Sequence, residues 1–303
     1  MPGNERESDV RRPLTDICDC HAHVVGPLDR FPQIANRNYT APLAELVSLL
    51  TIARTLGVTR FVIVQPSFYG TDNSRLFAAL EELEGNGRGV VGIDAIATTA
   101  SLLDEYARRG VCGVRLNAYS PISRAFSASR SSGLADALRV LGEKLPPNKW
   151  HIEIVSSLAA LLAVESAIER SPVPIVIDHY GLPGETAPDS SDGRRLLALA
   201  QLPHVWIKLS APYRIGSDPL ESAPPTAWLQ PLLKAAPTRC IWGSDWPHTP
   251  PHSEYRGAEV SLAYRTISYA RLITDFTAAL PDAATAHRVL IENPAGLYGF
   301  AAA

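Results

Sequence analysis

Short apolar runs recur along the chain, and each is followed by a polar loop and a segment with helical periodicity. Eight of these runs have the length and composition of buried strands: DICDCHAH, RFVIVQPS, GVVGIDAI, GVRLN, WHIEIV, PIVIDHYG, VWIKLS and CIWGSDW. Amphipathic segments such as PLAELVSLLTIARTLG and GLADALRVLGEKL lie between them. The first segment has a helical repeat of apolar residues at Leu43, Leu46, Val47, Leu50 and Ala53. The pattern therefore predicts strands that alternate with helices.

This alternation predicts an α/β fold, a single-domain (β/α)₈ TIM barrel over residues 16–300, preceded by a polar tail over residues 1–15. Because most strands are apolar at nearly every position, both faces of the sheet should be covered. A doubly wound open sheet is the main alternative, and it would carry a glycine fingerprint after the first strand. The sequence there, HAHVVGPLDRF, has no such fingerprint, which favours the barrel.

Composition and charge narrow the class of protein. The 303 residues are 46% hydrophobic and 19% charged, with a net charge of −3, which gives no electrostatic basis for binding nucleic acid or an anionic membrane. The first residues, MPGNERESDVRR, lack the apolar core of a signal peptide, and no apolar stretch is long enough to span a bilayer. We therefore expect a cytoplasmic protein without nucleic-acid or membrane partners.

The first predicted strand ends in two histidines, His21 and His23, with one residue between them. Regular alternation would place Asp19, His21 and His23 on one face and the neighbouring thiols of Cys18 and Cys20 on the other. Two converging imidazoles suit a metal ion or an electron-rich oxygen that needs polarising. We expect all four cysteines to be small buried hydrophobes rather than disulfide partners or metal ligands. They are Cys18, Cys20, Cys112 and Cys240.

In a TIM barrel the carboxyl ends of the strands form the active site. Imidazoles, a carboxylate and guanidiniums collect on this rim, so the sequence predicts an active site there. The residues concerned are His21, His23, Ser67, Arg115, Asn117, His179, Tyr213, Arg214, Asp245 and His248. Asp178 directly precedes His179, and we expect it to point the opposite way and to have a structural role.

The motifs DCHAH on strand one, His179 on strand six and WGSDWPH on strand eight resemble the amidohydrolase superfamily. The further motifs FPQIANRNYTAP, VQPSFYGTDN, GVRLN, IDHYG and IKLSAPYR are similar to the 2-pyrone-4,6-dicarboxylate lactonase branch, which also contains sugar lactonases. The resemblance runs from about residue 16 to residue 300. It implies a small-molecule lactone or carboxylate as substrate, and it leaves open whether the enzyme is a homo-oligomer.

Many members of the superfamily bind a metal through histidines and carboxylates on several strands, and this chain departs from that pattern in two places. Strand four ends in Arg115, a cation, and the histidine of strand five, His151, lies at the beginning of the strand. The residues left as ligands for one zinc ion are His21, His23, His179 and Asp245. The lactonase branch implies that these four residues act without a metal. We favour no cofactor, with zinc as the alternative.

The resemblance implies hydrolysis of a lactone, with Asp245 as the general base and the imidazoles of His21, His23 and His179 polarising the carbonyl. Arg115 and Arg214 are predicted to bind a substrate carboxylate, because guanidinium and carboxylate pair in a bidentate manner. The other predicted substrate contacts are Tyr39, Ser67, Asn117 and His248.

Other functions remain open from the sequence. A metal-dependent decarboxylase or amide hydrolase of the same superfamily would use similar residues, and a lactone isomerase would move the ring bond without net hydrolysis. A barrel that only binds a small acid is disfavoured, since such a pocket gains nothing from a desolvated Asp245 beside the ligand.

Overall fold

The computed structural model describes residues 14–119, 133–147, 149–218, 220–250 and 256–301. Eight strands pair in chain order, and each neighbouring pair is parallel. The strands are β1 (Ile17–Ala22), β2 (Val58–Val64), β3 (Gly87–Val91), β4 (Val111–Asn117), β5 (His151–Val155), β6 (Ile175–Ile177), β7 (Val205–Ser210) and β8 (Cys240–Gly243). The predicted TIM barrel is thereby confirmed and the doubly wound sheet is excluded. Most of the predicted tail, residues 1–13, lies outside the described residues.

Helices follow the strands and cover the barrel. In the described part of the chain they are α1 (Leu46–Ala53), α2 (Ser74–Glu82), α3 (Ala100–Arg108), α4 (Gly133–Lys144), α5 (Leu158–Leu162), α6 (Glu165–Glu169), α7 (Ser191–Gln201), α8 (Thr226–Ala235), α9 (Tyr269–Ala279), α10 (Ala283–His287) and α11 (Asn293–Tyr298). Over these same ranges, none of the helices combines the length and apolarity needed to cross a bilayer.

The buried face of α1 differs from the predicted one. Leu46, Leu49 and Ala53 are buried, whereas Val47 is 61% exposed and Leu43 lies before the helix. Nearly every residue of the helix is apolar, so its sequence does not single out one face, and packing against the barrel decides it.

The core has two layers, because alternate residues of each strand face the helices and the barrel interior. Ile63 and Ile154 belong to the outer layer, whereas Val62, Val176 and Ile241 belong to the inner one. Tyr298 and Phe300 pack with the inner layer. The same alternation directs charged residues of β5 and β7 into the interior, where they become important for the site.

Strand β1 does not alternate regularly, and the prediction that it would is wrong. Asp19 pairs with Phe61 and Ala22 with Ile63, so three steps along β1 match two along β2. This β-bulge places both Cys20 and His21 opposite Val62, facing the interior. Asp19 instead faces outward and accepts hydrogen bonds from the Ser244 hydroxyl and the Tyr269 hydroxyl.

The four cysteines are free and buried, as predicted. Their orientation differs from the expectation, since the thiols of Cys18 and Cys20 lie in the inner layer with Cys112, on the same side as the histidines. They take no part in the groups of side chains that are close enough to hold a metal ion in the described residues.

Candidate active site

The barrel closes at the seam between β1 and the turn that follows β8, and this seam carries the central residues of the pocket. The amide of Asp245 donates to the carbonyl of His21 at 2.8 Å, and the amide of His23 donates to Trp246 at 2.7 Å. Asp245 has a φ of 58°, a left-handed conformation that a side chain other than glycine adopts at a cost. Backbone hydrogen bonds therefore hold the carboxylate beside the histidines of β1.

Asp245 is almost completely buried, and each of its carboxylate oxygens has a different environment. Oδ2 accepts hydrogen bonds from the Tyr213 hydroxyl at 2.7 Å and from Arg214 Nε at 2.8 Å. Oδ1 lies 3.2 Å from His23 Nε2 and 3.6 Å from His21 Nε2. Burial raises the pKa of Asp245, but Arg214 and the hydrogen bond from His23 outweigh it and hold this pKa well below its usual value. The carboxylate is thus ionised at neutral pH.

His23 lies between two oxygen acceptors. Its Nδ1 donates to the Val64 carbonyl at 2.7 Å, because a carbonyl can only accept. Its Nε2 faces Asp245 Oδ1. The ring can donate to both oxygens only as an imidazolium, while a neutral ring presents a lone pair that would suit a cation bound between the two side chains.

His179 follows β6, in a left-handed backbone conformation with a φ of 53°. Its Nδ1 is 2.8 Å from the Ser210 hydroxyl at the end of β7. Burial is the main reason that the pKa of His179 falls to about 4, so this imidazole is neutral at physiological pH.

His21 lies beneath the pocket, with no exposed surface and with its ring centroid 4.9 Å from those of His23 and His179. Its Nδ1 is 3.1 Å from Lys208 Nζ. Its Nε2 has no hydrogen-bond partner among the described residues. Burial and the nearby Lys208 ammonium hold the pKa of His21 well below its usual value, so the ring is neutral.

The structure thus brings the four predicted catalytic residues together, but it divides the predicted metal ligands into two groups. His21, His23 and Asp245 offer ligand atoms that lie within 4.8 Å of one another. His179 instead groups with His21 and Asp178. Oδ2 of Asp245 is already engaged by Tyr213 and Arg214, and the Lys208 ammonium contacts Nδ1 of His21.

The predicted substrate contacts lie mostly in the pocket wall, namely Tyr39, Ser67, Arg115, Asn117 and Arg214. Arg115 Nη1 donates to the Gln65 carbonyl at 3.1 Å, and Asn117 donates to the Ser67 hydroxyl at 2.8 Å. His248 lies outside this wall, with its Nδ1 3.3 Å from the Tyr213 hydroxyl. It contacts a wall residue rather than the cavity.

Two further arginines line the pocket, and sequence analysis missed both. Arg37 donates to the Ile34 carbonyl at 2.8 Å, and Arg265 lies 5.2 Å from the centre of the Tyr213 ring. Arg37 lies in the irregular segment between β1 and α1, and Arg265 lies in the one between β8 and α9. Neither is at the end of a strand, so the position of the strand ends does not identify them. Together with Arg115 and Arg214 they give the wall of the pocket four arginines.

Sequence analysis also missed a buried charged cluster under His21. Lys208 of β7 contacts Glu153 of β5, and Asp178 Oδ1 is 3.2 Å from Lys208 Nζ and 3.4 Å from His21 Nδ1. The expectation that Asp178 points away from the site is therefore wrong: β6 ends at Ile177, and alternation does not continue into the turn. A signal did exist, because the charged residues in HIEIV and VWIKLS interrupt otherwise apolar strands.

Comparisons with known proteins agree with this geometry. The family model described as Amidohydrolase matches residues 18–300. A 4-sulfomuconolactone hydrolase of Hydrogenophaga intermedia is 31% identical over 288 residues, covering 93% of this chain and 88% of the relative. A 2-pyrone-4,6-dicarboxylate hydrolase of Comamonas testosteroni is 27% identical, covering 92% and 89%.

Among solved structures, a probable 2-pyrone-4,6-dicarboxylic acid hydrolase from Acinetobacter baumannii with bound citric acid superimposes with a TM-score of 0.72. The two sequences are 26% identical, and the alignment covers 94% of this chain and 100% of that one. The predicted resemblance to the lactonase branch is confirmed by these similarities.

Proposed function

The chain belongs to the amidohydrolase family, and we propose that it hydrolyses the lactone ring of a small anionic substrate such as 2-pyrone-4,6-dicarboxylate. The observation that carries the proposal is the pairing of one ionised carboxylate, Asp245, with imidazoles in a pocket whose wall is rich in arginine. The relatives named as lactone hydrolases support the reaction class. A cytoplasmic location, predicted from the sequence, is part of this proposal.

The charge of the pocket supports an anionic substrate. Arg115 forms no ion pair with a carboxylate in the described residues, and its Nε is buried without a hydrogen-bond partner there. The guanidinium of Arg115 is half-buried and lines the pocket, where a substrate carboxylate or sulfonate would pair with it. We propose that Arg115 binds such a group, with Asn117, Ser67 and Tyr39 beside it.

In the proposed reaction Asp245 is the general base. Its Oδ2 is saturated by Tyr213 and Arg214, which leaves Oδ1 to take a proton from water. The hydroxide attacks the carbonyl carbon, the ring C–O bond breaks, and Asp245 returns the proton to the leaving oxygen. The product is the ring-opened acid, one water heavier than the substrate.

The imidazoles stabilise the oxyanion that forms during attack. We propose that His21 and His179 donate from Nε2, with the Ser210 hydroxyl donating to Nδ1 of His179. His23 joins them as a donor only as an imidazolium, because its Nδ1 hydrogen is donated to the Val64 carbonyl. Removal of one such donor typically raises the barrier by about 2.7–4 kcal/mol.

Amidohydrolases are often metal-dependent, and His21, His23 and Asp245 form a possible metal-binding group. We propose that no metal is needed here, because the ammonium beside His21 and the guanidinium beside Asp245 compete with a cation for the same side chains. No step of the proposed mechanism uses a metal.

The test is to incubate the purified protein with 2-pyrone-4,6-dicarboxylate, 4-sulfomuconolactone and a neutral lactone, and to follow ring opening by absorbance and product mass. The anionic lactones should be opened and should gain one water. Asp245→Asn should lower kcat by about 10²–10⁴-fold, the usual contribution of a general base. Asp104→Asn, on the exposed face of α3, is the matched control and should leave kcat unchanged.

Two results would overturn the proposal. One is full turnover by Asp245→Asn. The other is a product with the mass of the substrate, which would indicate isomerisation instead of hydrolysis.

A further inference from the structure

Lys208 lies in the barrel interior with no exposed surface, an unusual place for a lysine. Its ammonium contacts three acceptors: Glu153 Oε2, Asp178 Oδ1 at 3.2 Å and His21 Nδ1 at 3.1 Å. An ammonium has three hydrogens and no lone pair, so it donates to Glu153 Oε2 and to His21 Nδ1, and it forms an ion pair with Asp178 Oδ1. The carboxylates of Glu153 and Asp178 compensate the buried charge of the ammonium. The side chain therefore remains charged.

From this contact we propose that Lys208 is a positioning residue that fixes His21 with its ring hydrogen on Nε2, and thereby makes His21 a hydrogen-bond donor rather than a metal ligand. The inference deepens the proposed function and rests on it for its catalytic meaning. Its structural content, the position of one hydrogen, does not depend on which lactone is the substrate.

The tautomer of His21 follows from what each atom can donate. Because an ammonium only donates, the Nδ1 atom that receives it must carry the lone pair, and in a neutral imidazole the hydrogen is then on Nε2. That Nε2 is buried, has no partner among the described residues and points toward Asp245 Oδ1 at 3.6 Å. It is a donor aimed at the reacting oxygens.

An opposite arrangement has to be excluded. Histidines that bind zinc usually donate their second N–H to a carboxylate, and Asp178 Oδ1 and Glu153 Oε1 each lie 3.4 Å from His21 Nδ1. Lys208 is closer to this nitrogen, at 3.1 Å, and its ammonium also contacts Glu153 Oε2 and Asp178 Oδ1, while Glu153 Oε1 has no hydrogen-bond partner among the described residues. A hydrogen on Nδ1 would face the ammonium, so the lysine disfavours the tautomer that a metal requires.

His23 shows the contrast within the same site. Its Nδ1 donates to the Val64 carbonyl, which places the hydrogen of a neutral ring on the other side from that of His21. Two histidines one residue apart therefore present different chemistry to Asp245, and the difference comes from what lies behind each ring. Nδ1 of His21 contacts the Lys208 ammonium, whereas Nδ1 of His23 donates to the Val64 carbonyl.

The first experiment measures the wild-type protein and uses a variant only to assign the signals. Long-range ¹H–¹⁵N spectra of the full-length protein with ¹⁵N-labelled histidine report the tautomer of each neutral ring, and a His21→Asn sample identifies the His21 signals. We expect the Nε2–H form for His21. The Nδ1–H form would overturn the proposal whatever the activity of the protein.

The second experiment uses Lys208→Met, which keeps a long side chain and removes the charge. Without the ammonium, His21 Nδ1–H can donate to Asp178, and Nε2 becomes a ligand beside His23 and Asp245. We expect the apparent zinc affinity to rise by about 10–100-fold, the range over which such supporting contacts act. Zinc is titrated into metal-free protein by calorimetry. In the double variant that combines Lys208→Met with His21→Ala, the rise in zinc affinity should disappear.

Equal zinc affinity in wild type and Lys208→Met would contradict the proposal, and so would a gain that persists after His21→Ala. If Lys208→Met does not fold, the tautomer of His21 measured in the wild type tests the proposal by itself. Should the wild type show the Nε2–H form yet open no lactone, the proposed function fails while the positioning role stands.

Discussion

Arg214 controls the charge of the proposed base, and its removal should shift the pH dependence of the reaction. Arg214 Nε donates to Asp245 Oδ2 at 2.8 Å, and both side chains are buried. Two opposite unit charges about 4 Å apart interact by about 4 kcal/mol at an effective dielectric constant of about 20. Since one pKa unit corresponds to about 1.36 kcal/mol, Arg214→Met should raise the pKa of Asp245 by about 1–3 units.

The direction of the effect on activity follows from the lowered pKa of Asp245 in the wild type. A base must be deprotonated, so wild-type activity is retained as the pH falls until it reaches that low pKa. In Arg214→Met the carboxylate takes up its proton at higher pH. The acidic limb of kcat/KM against pH should therefore move upward by about 1–3 units.

The assay is kcat/KM for an anionic lactone between about pH 3 and pH 8, in a buffer of constant ionic strength. Arg214→Lys is the matched control, because it keeps the positive charge and loses the planar guanidinium. Both variants should raise KM if Arg214 also binds substrate, but only Arg214→Met should shift the limb. An unshifted limb in Arg214→Met would refute the assignment of Asp245 as the titrating base.

Two further variants test how the imidazoles are held. Ser210→Ala leaves Nδ1 of His179 without its partner, and because an unsatisfied buried polar group costs about 1–3 kcal/mol, kcat should fall about tenfold or more while KM changes little. Gly243→Ala would place a Cβ 2.6 Å from the Cβ of His21, so β1 must shift. Urea unfolding should then show a loss of about 1–3 kcal/mol together with lost turnover, whereas Gly216→Ala, which meets nothing within 4 Å, should change neither.

The fold was predictable from the sequence because each strand is a short apolar run, and strand ends are fixed by the first polar residues that follow. The same logic located Asp245 and the histidines, since the carboxyl ends of parallel strands meet at one rim. It failed where backbone geometry departs from regular alternation. The bulge at Cys20 and His21 reverses the predicted directions of Cys18, Asp19 and Cys20, and the turn after Ile177 reverses that of Asp178. Neither feature leaves a mark in residue type.

The pocket wall was predictable only in part, for a different reason. Arg37 and Arg265 reach the cavity through segments whose course is set by tertiary contacts, such as the hydrogen bond from the Thr40 amide to the Val260 carbonyl at 2.8 Å. Sequence spacing carries no information about such contacts between distant loops.

The closing seam links the stability of the barrel to the geometry of the site. Asp19 accepts hydrogen bonds from the amides of Ser244 and His21, at 2.9 and 3.1 Å, and from the hydroxyls of Ser244 and Tyr269. It therefore joins β1, the turn that carries Asp245 and helix α9. Because the base and the imidazoles belong to strands that close the barrel, a change at the seam must lower stability and kcat together. A change at Arg115, a wall residue that lies outside the seam, alters substrate affinity while the barrel stays closed.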